Sequence, residues 1–403
     1  MTPTPERFIE RRRSDQAPVR MLHIITRLVR GGADENTLYT VRGLDPRRYE
    51  VDLVVGQGSD ERCLEGLDPA RVVRLDSLVR DPNPVLDLIA LVRLAWRIRR
   101  GGYHIVHTHT AKAGFLGRLA AAIAGTPVII HTVHGVTFHD HLPRGQRSFY
   151  LLLERIAGRF THQFVTVGED VKSKYVEAGI GEARDYETIY SGMPLDDYLS
   201  AGDMSDVERA QVRRDLGLEP AHLAVAMAAR LEPRKGHTFL FQAAERLRAN
   251  HPGLRVLVFG EGDHRAALEA EVEARGLSEV VRFHGHRTDL ARVLAASDVS
   301  VLTSLWEGLP RVLVQSAATG RPIVTFDVEG AWEIVRDGEN GFIVPTRDVD
   351  AFTDRLDTVL RDRRRARAMG QSGRRQVSEA WTVETMLDRL DALYTRCTTD
   401  RVA

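Results

Sequence analysis

Short, nearly continuous apolar runs alternate along the chain with longer stretches whose apolar residues recur every three or four positions. In the first half the runs are MLHIIT (21–26), VDLVV (51–55), RVVRL (71–75), HIVHT (104–108), PVIIHTV (127–133) and QFVTV (163–167). The second half restarts the series with LAVAMAA (223–229), LRVLVFG (254–260), VVRFHG (280–285), VSVLT (299–303), RPIVTF (321–326) and GFIVP (341–345). Runs without polar alternation predict parallel strands buried on both faces, and stretches such as 84–100, 111–124 and 146–159 predict the covering helices. The fold class is therefore α/β. Two series in one chain predict two doubly wound, Rossmann-like domains facing each other across a deep cleft.

The boundary falls in ETIYSGMPLDDY (187–198), where a strand runs into a Gly-Met-Pro turn. This gives a first domain over 20–195 and a second over 196–375, followed by a charged amphipathic helix within 376–403. The N-terminal TPTPERFIERRRSDQAP lacks an apolar signal core, so residues 1–19 read as a disordered polar leader. In doubly wound sheets, ligands bind beyond the carboxyl ends of the strands, so the loops there carry the candidate chemistry.

In LTSLWEGLPRVLVQSAATGRPIV (302–324) a strand ends, Glu307 and Gly308 occupy the loop, and Pro310 opens a helix. Backbone N–H groups from Arg311 onward would favour a phosphate. Glu307 can accept from a sugar hydroxyl, with Gln315 about two helical turns further on. A plain strand–loop–helix with a solvated Glu explains the same spacing. In VAMAARLEPRKGHTFL (225–240), Arg230 and Lys235 flank a strand-to-helix loop and can clamp a diphosphate; two solvated cations are the simpler reading. Gly31-Gly32 and Gly260-Glu261-Gly262 permit close backbone approach, and so do ordinary turns.

Histidines gather after strands of the first half: His107 and His109, His131 and His134, His139 and His141. A metal-dependent hydrolase using His107, His109 and His134 is one reading. Against it, residues 101–150 hold a single acidic side chain, Asp140. No metal and no cofactor is expected.

Composition adds bounds. The 403 residues hold 56 basic and 56 acidic groups, which gives no support for a nucleic-acid partner. Charge divides unevenly: residues 1–195 carry a net +4 and 196–403 a net −4. Only Lys112, Lys172, Lys174 and Lys235 are lysines, so Lys235 stands alone in the second half. Cys63 and Cys397 are isolated thiols, and no run of 18 apolar residues exists. A cytoplasmic protein is expected. Helix 84–100, with Val92, Arg93, Trp96, Arg97, Arg99 and Arg100, joins apolar positions to a basic end and suits either ordinary packing or peripheral contact with an anionic membrane.

Taken in order, five segments resemble glycosyltransferase family 4, retaining enzymes of the GT-B fold: GGADENTL (31–38), HIVHTHTAKAGFLGRLAAAIAGTPVIIHTVHG (104–135), VTVGED (165–170), ARLEPRKG (229–236) and SLWEGLPRVLVQSAATGRPIV (304–324). The second is similar to a bacterial CapM-like capsule and exopolysaccharide subgroup. The resemblance implies transfer of a hexose-type sugar from a nucleotide-diphosphate sugar, a UDP-sugar, by metal-independent front-face substitution with retention. It also implies that the C-terminal helix crosses back to the N-terminal domain.

By the same resemblance, Arg230 and Lys235 hold the diphosphate, Glu307 binds donor-sugar hydroxyls, and His134 contacts the sugar near the reacting carbon. Gly31 and Gly32 close against the diphosphate, with Gly260 and Gly262 on the donor side. Gly308, Leu309, Arg311 and Val312 supply amides, and His286 and Arg287 border the nucleobase. Gln315 departs from the family's second Glu, so it keeps an acceptor but no charge. That departure leaves a catalytically silent sugar-nucleotide binder as an alternative. Asp34, Glu35, His109, Phe138 and His139 are the expected acceptor contacts, for a lipid-linked saccharide or a small-molecule aglycone.

Overall fold

The computed structural model describes residues 17–29, 31–139, 142–377 and 379–402. The expected leader lies, as far as residue 16, outside the described residues; the first strand already begins at Val19. The chain divides into two compact units. The first holds the described residues up to Val167, Lys172–Ile189 and those from Met386 on; the second holds Gly168–Val171 and Tyr190–Thr385. The division thus falls at Ile189, ahead of the Gly-Met-Pro turn rather than after it.

The first unit is built on seven parallel strands: β1 (Val19–Ile25), β2 (Tyr49–Gly56), β3 (Val72–Leu75), β4 (Ile105–His109), β5 (Val128–Val133), β6 (Gln163–Thr166) and β7 (Tyr186–Thr188), in the order β3-β2-β1-β4-β5-β6-β7. Both faces are covered, as the unbroken apolar runs require. Leu22, Ile24 and Val106 face helices Pro84–Gly101 and Ala111–Ala124, while Met21, Ile105 and Ile130 face Met386, Leu390, Leu393 and Tyr394 of the final helix Val383–Val402. Each such apolar side chain contributes about 1.5–3 kcal/mol by leaving water.

Local signals set the helix ends. Asn83 accepts from the Leu86 N–H (3.1 Å), Pro84 takes the first turn, and Gly102 closes the helix in a left-handed conformation (φ 59°). Gly114 and Gly117 let helix Ala111–Ala124 lie close to the sheet, since a Cβ at 114 would sit 2.5 Å from His131 Cε1. One buried ion pair, Arg118 Nη2 to Glu154 Oε2 at 2.7 Å, ties that helix to Arg144–Gly158.

The second unit has six parallel strands: β8 (Leu223–Ala228), β9 (Leu254–Phe259), β10 (Val281–Gly285), β11 (Val299–Leu302), β12 (Ile323–Phe326) and β13 (Gly341–Val344), ordered β10-β9-β8-β11-β12-β13. Each sheet reverses its strand order once, between β1 and β4 in the first and between β8 and β11 in the second. Those reversals open a crevice at the carboxyl ends of the flanking strands.

Candidate active site

In the second unit, the two loops at the reversal carry the residues singled out from sequence. The loop after β8 holds Arg230 and runs into the turn Pro233–Lys235; the loop after β11 holds Glu307. Lys235 Nζ donates to Glu307 Oε1, and Arg234 Nη1 lies 3.5 Å from Oε2. Arg230 Nη1 lies 3.0 Å from Glu232 Oε1, and Glu232 also accepts from Arg234 Nε at 3.0 Å. Arg234 and Glu232 were not singled out from sequence because charged residues in a polar loop carry no periodic signal.

Gly236 makes the Lys235–Glu307 pairing possible. Its backbone is left-handed (φ +66°), and a Cβ there would lie 2.1 Å from the Thr303 carbonyl. Thr303 Oγ1 in turn donates to the Gly236 carbonyl at 2.9 Å. Lys235 and Glu307 are both nearly buried, 12 % and 10 % exposed. Burial works to raise the Glu307 pKa, but the Lys235 ammonium and Arg234 guanidinium outweigh it and hold the carboxyl below its usual range. Burial lowers the Lys235 ammonium despite the Glu307 charge. The result is a pre-positioned cation beside an ionised carboxylate, suited to a phosphate and a hydroxyl-bearing group side by side.

Neighbouring residues play supporting parts. Gly260 and Gly262 face backbone: Cβ atoms there would meet the Ala229 and Leu231 carbonyls at 2.1 and 2.4 Å. They let the loop after β9 pack against the loop bearing Arg230. Gly308 and Leu309 lie in the loop before helix Arg311–Ala318, and a Cβ at Gly330 would be 3.0 Å from the Gly308 carbonyl. The expectation that the Arg311 amide is offered to a phosphate needs correction, because the Arg311 N–H bonds back to the Leu309 carbonyl at 2.9 Å. Val312 and Gln315 follow on the helix, both half-buried. His286 is exposed after β10, and Arg287 makes a two-point contact with Asp289 at 2.7 and 2.8 Å.

In the first unit the histidines form a directed chain. A thioether sulfur has no hydrogen, so His23 Nε2 is the donor in its 3.0 Å contact with Met21 Sδ. Burial pushes the His23 pKa down to about 3, so the ring is neutral and its Nδ1 accepts. His109 Nε2 donates to it at 3.0 Å. Burial likewise lowers the His109 pKa, and its Nδ1 accepts from His134 Nε2 at 3.2 Å. His134, pushed down to about 4 by burial, is left with an unprotonated Nδ1 that has no protein partner among the described residues. These tautomers follow from the hydrogen-bond network. His134 is partly exposed at the carboxyl end of β5.

The cluster whose ligand atoms converge is His23, His107 and His109, not the His107, His109 and His134 set expected for a metal. Its nitrogens are engaged within the protein: His107 bonds Tyr394 Oη (2.8 Å) and Thr132 Oγ1 (2.7 Å). No carboxylate joins the group among the described residues.

Three expected acceptor contacts turn inward. His109 is 1 % exposed with both nitrogens occupied. Phe138 is buried against Tyr175, ring centroids 5.1 Å apart. Asp34 is buried and accepts from the Val29 N–H at 3.2 Å, fastening the loop after β1. Gly31, Gly32, Glu35 and His139 remain partly or fully exposed.

Comparison with known proteins fits this geometry. The model of Glycosyl transferases group 1 matches residues 208–376, and the Glycosyl transferase 4-like domain matches 31–192. EpsD of Bacillus subtilis (strain 168) is 31 % identical over 294 residues, covering 71 % of this chain and 76 % of its own. The chain belongs to glycosyltransferase family 4. This family 4 protein is also 25 % identical, over 95 % of its length and 98 % of the relative's, to the UDP-Gal:alpha-D-GlcNAc-diphosphoundecaprenol alpha-1,3-galactosyltransferase of Escherichia coli. Its fold is similar to that of Anabaena Alr3699/HepE, solved in complex with UDP and glucose (TM-score 0.78, 21 % identity, 94 % and 100 % of the two chains). The GT-B fold and the glycosyltransferase class both stand.

Proposed function

We propose that this glycosyltransferase moves a hexose-type sugar from a UDP-sugar to an acceptor hydroxyl, with retention and without a metal. One observation carries the reading: Lys235 paired to Glu307 at the reversal of the second sheet, with Arg230 on the same loop. Cations there stabilise charge as the bond from the anomeric carbon to phosphate breaks and the diphosphate leaves with the electron pair. The acceptor oxygen bonds to the anomeric carbon, and its proton passes to the departing phosphate oxygen. Glu307 accepts from donor-sugar hydroxyls, and the His134 Nδ1 lone pair from another. The Glu307 side chain contacts the Lys235 and Arg234 cations, and a second carboxylate, Glu329, lies against its backbone, accepting from the Glu307 N–H at 3.1 Å.

The UDP complex of Alr3699/HepE and the UDP-Gal donor of the Escherichia coli relative support a UDP-sugar. That relative's diphosphoundecaprenol acceptor supports a lipid-linked saccharide. So does helix Pro84–Gly101, which exposes Val85, Leu88, Val92 and Trp96, with the Arg100 guanidinium 5.2 Å from the Trp96 ring centre. Arg97 turns instead towards Asp52, at 4.0 Å. No described helix is long and apolar enough to cross a membrane, so the reading is peripheral contact at its inner face.

The test is a panel of UDP-sugars followed by UDP release, with the product's anomeric configuration read by NMR. Sugar-dependent UDP release and a retained configuration are expected. An inverted product sinks the front-face route, and an unchanged rate with chelator is expected of a metal-independent enzyme.

A further inference from the structure

The second unit carries a cavity of about 500 Å³ that the transfer reaction does not use. Arg321 in its wall precedes β12, and Asp298 behind it precedes β11, whereas Lys235 and Glu307 follow the carboxyl ends of β8 and β11. In a parallel sheet these are opposite edges. Arg209, Arg321, Arg367, Arg374 and Arg375 line the cavity, against only two acidic residues, Asp203 and Asp206.

The pairing inside it is incomplete. Arg374 Nη2 meets Asp203 Oδ2 at 2.6 Å. Arg209 must share Asp298 with Arg213, at 2.9 and 3.1 Å. Among the described residues Arg321 donates only to backbone, the Thr319 and Ser297 carbonyls, both at 3.3 Å. Arg367 and Arg375 have no acidic partner among the described residues. Burial, with the neighbouring Arg209 charge, pushes the Arg321 guanidinium down to about 10. Cations crowded into a concave, partly dehydrated surface repel one another until an anion arrives.

The Arg209, Arg321 and Arg374 guanidinium groups are also held in place before any ligand binds. Asp298 and the Ser297 carbonyl fix Arg209, and a Cβ at Gly202 would come within 2.4 Å of Arg374 Nη1. Planar forks fixed by acceptors behind them match phosphate oxygens two at a time.

We propose that this cavity binds a phosphate-bearing ligand carrying more than one negative charge, at a site separate from the sugar-donor loops. The ligand is either a free diphosphate or phosphate ester, or a phosphate on a lipid headgroup.

Inorganic diphosphate titrated calorimetrically into the full chain saturated with UDP, and flotation with phosphatidic acid vesicles, whose phosphomonoester headgroup can carry a second negative charge, test the two sources. The variant is Arg367→Gln/Arg375→Gln, whose side chains are exposed and unpaired, with its melting temperature checked. A diphosphate binding event that persists with UDP and weakens at least about tenfold in the variant supports a free ligand. Vesicle binding lost in the variant, with no such event, supports the headgroup. Failure of the variant to change either overturns the site. The same variant turning over UDP-sugars normally separates this outcome from failure of the donor reading.

Discussion

His134 Nε2 lies 3.2 Å from His109 Nδ1, and this contact sets which nitrogen of His134 keeps its lone pair. The direction originates at Met21, whose sulfur accepts and cannot donate. Met21→Leu conserves volume and removes that acceptor. His23 Nε2 is then buried with nothing to donate to, and the reversed tautomer chain becomes competitive. Nitrogen-15 NMR of the His134 ring is expected to show one tautomer in the native protein and a mixture in the variant. The turnover rate should fall by about three- to tenfold with little change in melting temperature, the worth of roughly one hydrogen bond. A native rate combined with a single unchanged tautomer removes Met21 and His23 from any positioning role.

Lys235→Ala tests the donor loops. It removes the cation nearest Glu307 and leaves Arg234, 3.5 Å from that carboxylate, as the sole close counter-charge. Transition-state charge on the departing diphosphate loses its best-placed partner, so kcat/KM for the UDP-sugar should drop by about 10²–10³-fold. Sugar-dependent UDP release checks it. A loss below tenfold means that Arg230 carries the diphosphate alone.

Both strand series were legible because buried parallel strands leave unbroken apolar runs; MLHIIT and LRVLVFG mark β1 and β9 to within two residues at each end. Lys235 and Glu307 were legible because loops after strands are where a doubly wound sheet exposes chemistry. Their mutual contact was not. It depends on Gly236 passing against Thr303, a meeting of segments 67 residues apart that no local pattern encodes. Histidine failed as a guide for the opposite reason. HTH looks the same whether its rings face a ligand or each other, and only the register β1–β4, pairing His23 with His107, shows that they turn into the core.

Burial of neutral histidines makes stability depend on pH. The His23 pKa falls to about 3 in the folded state, and those of His107, His109 and His131 are also lowered by burial. A depressed folded value means that the unfolded chain binds protons first. The stabilising contribution is therefore complete above the ordinary histidine value of about 6.5 and is lost as pH falls below it, for His23 down to about 3. His23 alone should remove roughly 1 kcal/mol per pH unit across that window. Denaturant titrations at pH 7.5, about 6 and about 5 are expected to show steadily falling midpoints. His23→Leu should flatten the slope even if it lowers stability at neutral pH. A midpoint independent of pH between those values contradicts the neutral, buried chain.

Gly236→Ala asks whether the donor loop's geometry or its charges limit the enzyme. Two penalties coincide at this position, the left-handed backbone (φ +66°) and a Cβ placed 2.1 Å from the Thr303 carbonyl. The first alone costs about 1 kcal/mol or more for a residue with a Cβ. The second cannot be relieved by a side-chain rotation, since the obstacle is backbone at the end of β11. The loop must retreat, and Lys235 retreats with it, away from Glu307. The melting temperature should fall by several degrees, while kcat/KM should approach that of Lys235→Ala although every charged residue is still present. In the double variant the two losses should fall well short of adding, because both remove the same placement of one ammonium group. Full additivity would show that Gly236 acts elsewhere in the fold, and that the ammonium reaches the donor from a position other than its place beside Glu307.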